Sequence, residues 1–315
     1  MPRPRTAAAP ASPGLVFTMA VGPRAEQRAD LVCIDAVTQE YVLSVDGIPQ
    51  SRVFLSDPTS LAFGYIRQVA RVIDAWAPAG HPLAVVHLGA GALTLPRYVA
   101  ATRATSRQVV VEVERALCEA VLEALPLCEP LRLVYGDARA VAESAVAGWS
   151  GGDARAVAES AVAGWSDAEV TVVDLWSGAF IASRVAGLEF YRLVGARSAA
   201  TGVVAVNLLD GPGFVYTKGQ VAALSHVFAY VAVVLDERML DNTQMGNVLV
   251  LASDAALGRA LHAVSLAGGV RVLDAAELAG WVGDVPAADD AQACDSPPPD
   301  ESHFERFFGR DFFAP

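Results

Sequence analysis

Basic charge is in short supply in this chain. Asp and Glu outnumber Lys and Arg by 35 to 23, a formal charge of −12, so a phosphate backbone is repelled and nucleic acid is excluded as the main partner. Cysteine is also scarce. The four present, Cys33, Cys118, Cys128 and Cys294, form no CxxC pair and no zinc-like spacing with histidine, which points away from a metal site and towards free thiols in a reducing cytoplasm. No apolar run approaches the roughly 20 residues of a membrane span. Val231 to Leu235 has only the length of a strand and stops at Asp236. Arg3 and Arg5 precede an Ala-rich stretch, but Pro10 and Pro13 interrupt it and no cleavage site follows, so the start reads as a tail and not as a signal peptide.

What is present is apolar: 53% of 315 residues, enough for a substantial core. Four segments are expected: a disordered tail over 1–28, a β-hairpin module over 29–57, a main domain over 58–284, and an acidic, Pro-rich linker with an aromatic tail over 285–315. The first and last are Ala/Pro/Arg-rich or Asp/Pro-rich without periodicity. In the hairpin, Tyr41 to Val45 and Ile48 to Leu55 flank Asp46-Gly47, a pair that accepts the positive φ angles of a type I′ turn. Asp57-Pro58-Thr59 resembles a helix start, followed by Leu61, Ile66, Val69, Val72, Ile73 and Trp76 on one face.

Beyond it, short β-branched runs alternate with helical segments: Leu83 to Leu88, Gln108 to Val113, Leu131 to Tyr135, Val170 to Asp174, Val203 to Leu208 and Val231 to Leu235. That alternation predicts an α/β fold, a Rossmann-like, doubly wound sheet with ligands at the carboxyl edge of its strands. Gly246 to Ser253 follows without a long intervening helix and reads as an antiparallel closing strand of the methyltransferase type. One segment is duplicated: Gly136 to Ser150 recurs verbatim as Gly152 to Ser166, a tandem copy with a 16-residue period. Two copies are too few for a solenoid.

Chemistry concentrates at the strand ends. Val85-Val-His-Leu-Gly-Ala-Gly runs a strand into a Gly-x-Gly turn before a helix, where Gly89 and Gly91 let a nucleotide approach the backbone. Glu112 ends the next strand, about 20 residues on, where a carboxylate can accept both ribose hydroxyls. Asp137 and Asp174 end the third and fourth strands. Each acid alone could be a helix cap or an exposed strand end, but three on one edge beside a glycine turn favour nucleotide binding. His87, in mid-strand, reads as a core histidine.

These residues, with Asp46-Gly-Ile-Pro-Gln50, Phe63-Gly-Tyr65, Val111-Glu-Val-Glu114 and Val172-Val-Asp174, resemble the spermidine synthase family of polyamine aminopropyltransferases, over about Tyr41 to Ser253. The resemblance implies that Gln50 and Glu112 hold the nucleoside of a sulfonium donor, that Asp137 receives the adenine amino group, and that Tyr65 with Asp174 handles the attacking amine. It implies decarboxylated S-adenosylmethionine or S-adenosylmethionine as co-substrate, no metal, a small amine or other small acceptor as partner, and a homodimer. The family's glycine turn continues with an aspartate where this chain has Ala92. Its Asp-Ser-Ser-Asp motif reads Asp174-Leu-Trp-Ser177 here, and Ile66 replaces a polar residue after the tyrosine.

Two other functions fit the same nucleoside half. An S-adenosylmethionine-dependent methyltransferase gains from Ala92, since an aspartate there would repel the methionine carboxylate. A non-catalytic nucleoside-binding scaffold is the other, with the aromatic stretch His303 to Pro315 as a partner motif, although that stretch is expected first to fold back over an apolar groove of its own domain.

Overall fold

The computed structural model describes residues 13–22, 25–127, 131–144, 165–176, 180–241 and 244–298. Its elements in chain order are β1 (Gly14–Val21), β2 (Gln27–Asp35), β3 (Glu40–Val45), β4 (Ile48–Phe54), α1 (Gly64–Trp76), β5 (Ala84–Leu88), α2 (Thr94–Thr102), β6 (Arg107–Glu112), α3 (Arg115–Ala124), β7 (Arg132–Tyr135) and α4 (Ala138–Glu143). There follow β8 (Ala168–Val173), α5 (Leu188–Gly195), β9 (Ser198–Asp210), α6 (Val215–Ser225), β10 (Tyr230–Asp236), β11 (Gly246–Ser253), α7 (Gly258–Ser265), β12 (Val270–Leu273) and α8 (Ala275–Val282).

The main sheet has eight strands in the order β12-β10-β11-β9-β8-β5-β6-β7. Strands β7, β6, β5, β8 and β9 are parallel, and β11 slots antiparallel between β9 and β10, the methyltransferase-type closure expected. Strand periodicity splits the core. Val85, Val170, Val172, Val203 and Ala205 face α1 and α7, whereas Val86, Leu88, Val109, Val111 and Val173 face the cluster built with α4, α5 and α6. Burial on both faces is what a parallel sheet demands of its sequence.

The N-terminal module is a separate antiparallel sheet of four strands, β1-β2-β3-β4. Its β3–β4 hairpin turns at Asp46 and Gly47, with φ of 50° and 77°, and Val45 pairs with Ile48. Asp46 also accepts the Arg28 amide at 2.8 Å, tying the turn to β2. The expectation of a tail over 1–28 is corrected from Gly14 onward: β1 pairs with β2 from Gly14–Cys33 to Val21–Gln27. Val21 is buried, and Met19 and Phe17 pack at the edges of the apolar clusters beneath, which include Leu117 of α3. The Ala/Pro/Arg composition on either side obscured a strand of only eight residues. Residues 1–12 lie outside the described residues.

Two further expectations change. Asp57 does not start α1. Its carboxylate closes a local turn on the Thr59 amide at 3.0 Å and the Ser60 hydroxyl at 2.7 Å, and the helix begins at Gly64 with no side-chain cap. The segment 286–298 is not a loose linker. Leu188 N donates to Ala288 O, Ser296 N to Ile181 O, and Ile181 N to Ser296 Oγ, each at 2.9 Å, while Arg139 grips Asp290 with two bonds of 2.6 and 2.5 Å. Backbone pairing with the 181–188 loop, invisible in composition, holds it. The aromatic tail 303–315 lies outside the described residues.

The duplication leaves its two ends in the fold. Copy one supplies the cap Asp137 and helix α4; copy two supplies Trp165, which is 1% exposed. Arg197 links them, donating to Ala142 O and Ser144 O at 2.5 Å and to Trp165 O at 3.0 Å. Residues 145–164, which hold the rest of both copies, lie outside the described residues.

Candidate active site

A cavity of about 860 Å³ opens at the carboxyl edge of β5, β6, β7, β8 and β9, under the N-terminal sheet. Gln50, Tyr65, Gly89, Gly91, Glu112, Asp137 and Asp174 all line it. The residues picked from sequence, scattered over more than a hundred positions, therefore line one cavity. Strand order accounts for this: β5 lies between β6 and β8, and the chain reverses its direction of winding there, which opens a crevice at the switch point.

The two glycines are needed first by the protein itself. Gly89 has φ of +97°, and a Cβ there would collide with the Asp174 carbonyl. Gly91, at φ +49°, would meet the Ser51 hydroxyl of β4. Ser51 Oγ also accepts the Ala92 amide at 3.0 Å, so the glycine turn joins the N-terminal sheet to the main one. Ala92 is 1% exposed and packs among Leu31, Leu43, Val53 and Val121, under the hairpin module.

Glu112 braces the same turn. Its Oε2 accepts the Ala90 amide and its Oε1 the Glu114 amide, both at 2.8 Å. Burial raises its pKa above the usual carboxylate value, and these backbone bonds pull the other way. Asp137 is at once helix cap and ion-pair partner. Its Oδ1 accepts Ala140 N at 2.9 Å and Arg184 Nη2 at 2.8 Å, so the capping reading holds without removing the residue from the cavity.

Asp174 has the densest set of partners. Its Oδ2 accepts the Tyr65 hydroxyl at 3.0 Å; its Oδ1 accepts Trp176 Nε1 at 3.0 Å and Asn207 Nδ2 at 2.7 Å. Asn247 Nδ2 in turn donates to Asn207 Oδ1 at 3.1 Å. Burial raises the carboxyl pKa, and the bonds from Asn207, Tyr65 and Trp176 offset part of that rise. The Tyr65 phenol is pushed well above its ordinary value, by burial and then by the adjacent Asp174 charge. The pair is therefore a buried carboxylate held by neutral donors, an arrangement suited to accepting a proton. His87 stays in the strand, 2% exposed, with Nε2 2.9 Å from Gln108 Oε1, and burial lowers its pKa to about 4.

The chain is similar in structure to a probable spermidine synthase from Corynebacterium glutamicum, with a TM-score of 0.72 at 23% identity over 88% of this chain and 96% of that one. The fold is that of a spermidine synthase. The spermidine synthase from Thermotoga maritima is similar at a TM-score of 0.51 and 17% identity, over 77% of this chain and 73% of that one. A third, a spermidine synthase in complex with the transition-state analogue AdoDATO, stands at 0.49 and 16% over the same shares. No protein-family model and no curated protein matches the chain.

Around this spermidine synthase fold, sequence reasoning missed Ser51, Gln68, Trp176, Arg184, Asn207 and Asn247. One signal was available for Asn207: it is the lone polar residue in the buried run Val203 to Leu209. A polar group near the carboxyl end of an all-apolar strand needs a partner, and that partner is Asp174.

Proposed function

We propose that the chain is an aminopropyltransferase of the spermidine synthase kind, using decarboxylated S-adenosylmethionine as donor and a small amine as acceptor. The observation that carries this is the placement of Asp174 and Tyr65 in the same cavity as the Glu112 and Asp137 strand ends, so that an amine and a nucleoside fit side by side. Glu112 holds the glycine turn through Oε2 and its own following loop through Oε1, and offers its remaining lone pairs to ribose hydroxyls. Among the described residues Ala140 and Arg184 both bond Oδ1 of Asp137, which leaves Oδ2 for an adenine amino group. Gln50 lines the same part of the cavity from β4.

The acceptor arrives as an ammonium ion and is no nucleophile until it loses a proton. Asp174 takes that proton, and Tyr65, Trp176 and Asn207 hold the carboxylate in place. The amine lone pair then attacks the aminopropyl carbon next to the sulfonium. A nitrogen–carbon bond forms, the carbon–sulfur bond breaks, and its electron pair returns to sulfur, leaving neutral methylthioadenosine and a secondary ammonium.

A second reading rests on Ala92. No carboxylate stands at that position to hold the donor's terminal ammonium, and the side chain there is buried in an apolar cluster, which favours a donor that keeps its carboxylate and so transfers methyl. Calorimetric titration with decarboxylated S-adenosylmethionine, S-adenosylmethionine and methylthioadenosine separates the two. Tighter binding of the decarboxylated donor is expected, and preference for S-adenosylmethionine would instead support methyl transfer.

A further inference from the structure

From the acceptor half of the cavity, we infer that the protein takes a monoamine bearing a neutral hydroxyl or similar hydrogen-bonding end, and discriminates against diamines. This deepens the proposed function and rests on Asp174 facing the acceptor.

A diamine brings two positive charges, so its site must supply two anionic groups or leave one charge unpaired in a half-buried cleft. This half of the cavity extends from Asp174 past β9 and β11 to β10, with the first turn of α1 opposite. Asp236 is the only other carboxylate on that side among the described lining residues, and it is already neutralised. Arg238 donates to it from Nε at 2.9 Å and Nη2 at 2.6 Å, and the Arg238 backbone amide adds a bond at 2.9 Å.

In place of charge, this half presents amides. Asn247 donates to Asn207 and Asn207 donates to Asp174, forming a neutral relay along the cavity wall. Gln68 sits one helical turn after Tyr65 on α1 and so shares its face. Gln68 is 8% exposed and lines the cavity, and its buried Oε1 accepts no hydrogen bond among the described residues. A buried carbonyl oxygen without a partner calls for a donor from the ligand. A hydroxyl meets that need and carries no charge, whereas an ammonium there would meet only a neutral dipole. Leu209 and Leu249, on the same face of the sheet as Asn207 and Asn247, suit a methylene chain between the two ends.

Calorimetry on the full chain saturated with methylthioadenosine tests this, with 4-amino-1-butanol and putrescine as probes. The aminoalcohol should bind at least tenfold more tightly. Gln68→Leu should weaken it about tenfold while methylthioadenosine still raises the melting temperature as in the parent, and Gln68→Glu should reverse the preference in favour of putrescine. Putrescine binding as tightly as the aminoalcohol, or neither amine binding the nucleoside-loaded protein, would overturn the inference. If methylthioadenosine itself does not bind, the nucleoside site falls and the acceptor inference falls with it; this result is distinct from the others because it is read before any amine is added.

Discussion

The Tyr65 hydroxyl donates to Asp174 Oδ2 at 3.0 Å, joining residues 109 positions apart within the cavity. Because burial raises the Asp174 pKa, the acid limb of a kcat/KM pH profile should lie above the ordinary carboxylate range. Hydrogen bonds to the ionised form lower a carboxyl pKa, so Tyr65→Phe removes a lowering influence and should move that limb to higher pH. Asp174→Asn should abolish the limb and cost about 10²–10⁴ in rate. A profile unchanged by Tyr65→Phe would contradict the role given to the pair.

Glu112→Gln replaces an acceptor oxygen with an amide NH2 that must face either Ala90 N–H or Glu114 N–H. One backbone bond is lost along with a ribose acceptor. Methylthioadenosine affinity should fall by about 1.5–3 kcal/mol, roughly ten- to hundredfold. Asp137→Asn keeps a capping oxygen for Ala140 but puts an amide NH2 where Oδ2 would accept the adenine amino group, so it should weaken the nucleoside while sparing most of the stability, and Asp137→Ala should add a cap loss of about 1 kcal/mol. Calorimetry paired with thermal melts checks all three.

The fold was legible because its signals are local and repeated. Apolar strand runs, the Asp46-Gly47 turn and the glycine turn after Leu88 each state their geometry within a few residues. Strand-end acids followed from strand direction alone. What was not legible depends on contacts between distant segments. β1 has only eight residues and owes its pairing to β2; the 286–298 strap is held by backbone bonds to the 181–188 loop; and Gln68 and Asn247 enter the site only once α1 and β11 are placed. Ala92 shows the converse: its departure from the family pattern was visible in the sequence, but its burial beneath the hairpin module was not.

Gly89 and Gly91 should respond differently to a methyl group. Gly91→Ala collides with the Ser51 hydroxyl, and Ser51 Cβ stands 3.7 Å away, so Ser51→Ala should relieve the collision. What remains is the strain of a positive φ, about 1 kcal/mol, and the Ala92 amide bond that Ser51→Ala removes, about 1 kcal/mol or more. Gly89→Ala meets the Asp174 backbone carbonyl, which no side-chain change can remove, and should be the more damaging by urea denaturation. Equal losses, both rescued by Ser51→Ala, would contradict the packing described.

The two copies of the repeat are identical, so removing residues 136–151 or 151–166 yields the same chain, with Ser followed directly by Asp167. In that chain a single segment must carry both the Asp137 cap and the tryptophan beside Arg197, which the present fold draws from different copies. The deletion should fold and retain methylthioadenosine affinity within about threefold, since each contact to Arg197 adds only about 1 kcal/mol of net stability. An insoluble product, or one with intact melting but no nucleoside binding, would show that residues 145–164 contribute more than a spacer.

We propose that this cavity transfers an aminopropyl group. The most direct measurement supplies the purified chain with decarboxylated S-adenosylmethionine or S-adenosylmethionine, each with 4-amino-1-butanol and putrescine together, and follows the nucleoside products by chromatography and mass spectrometry. Methylthioadenosine is expected from the decarboxylated donor, lost in Asp174→Asn, with the acceptor mass raised by one aminopropyl unit. S-adenosylhomocysteine from the intact donor, with no methylthioadenosine from the other, would contradict it.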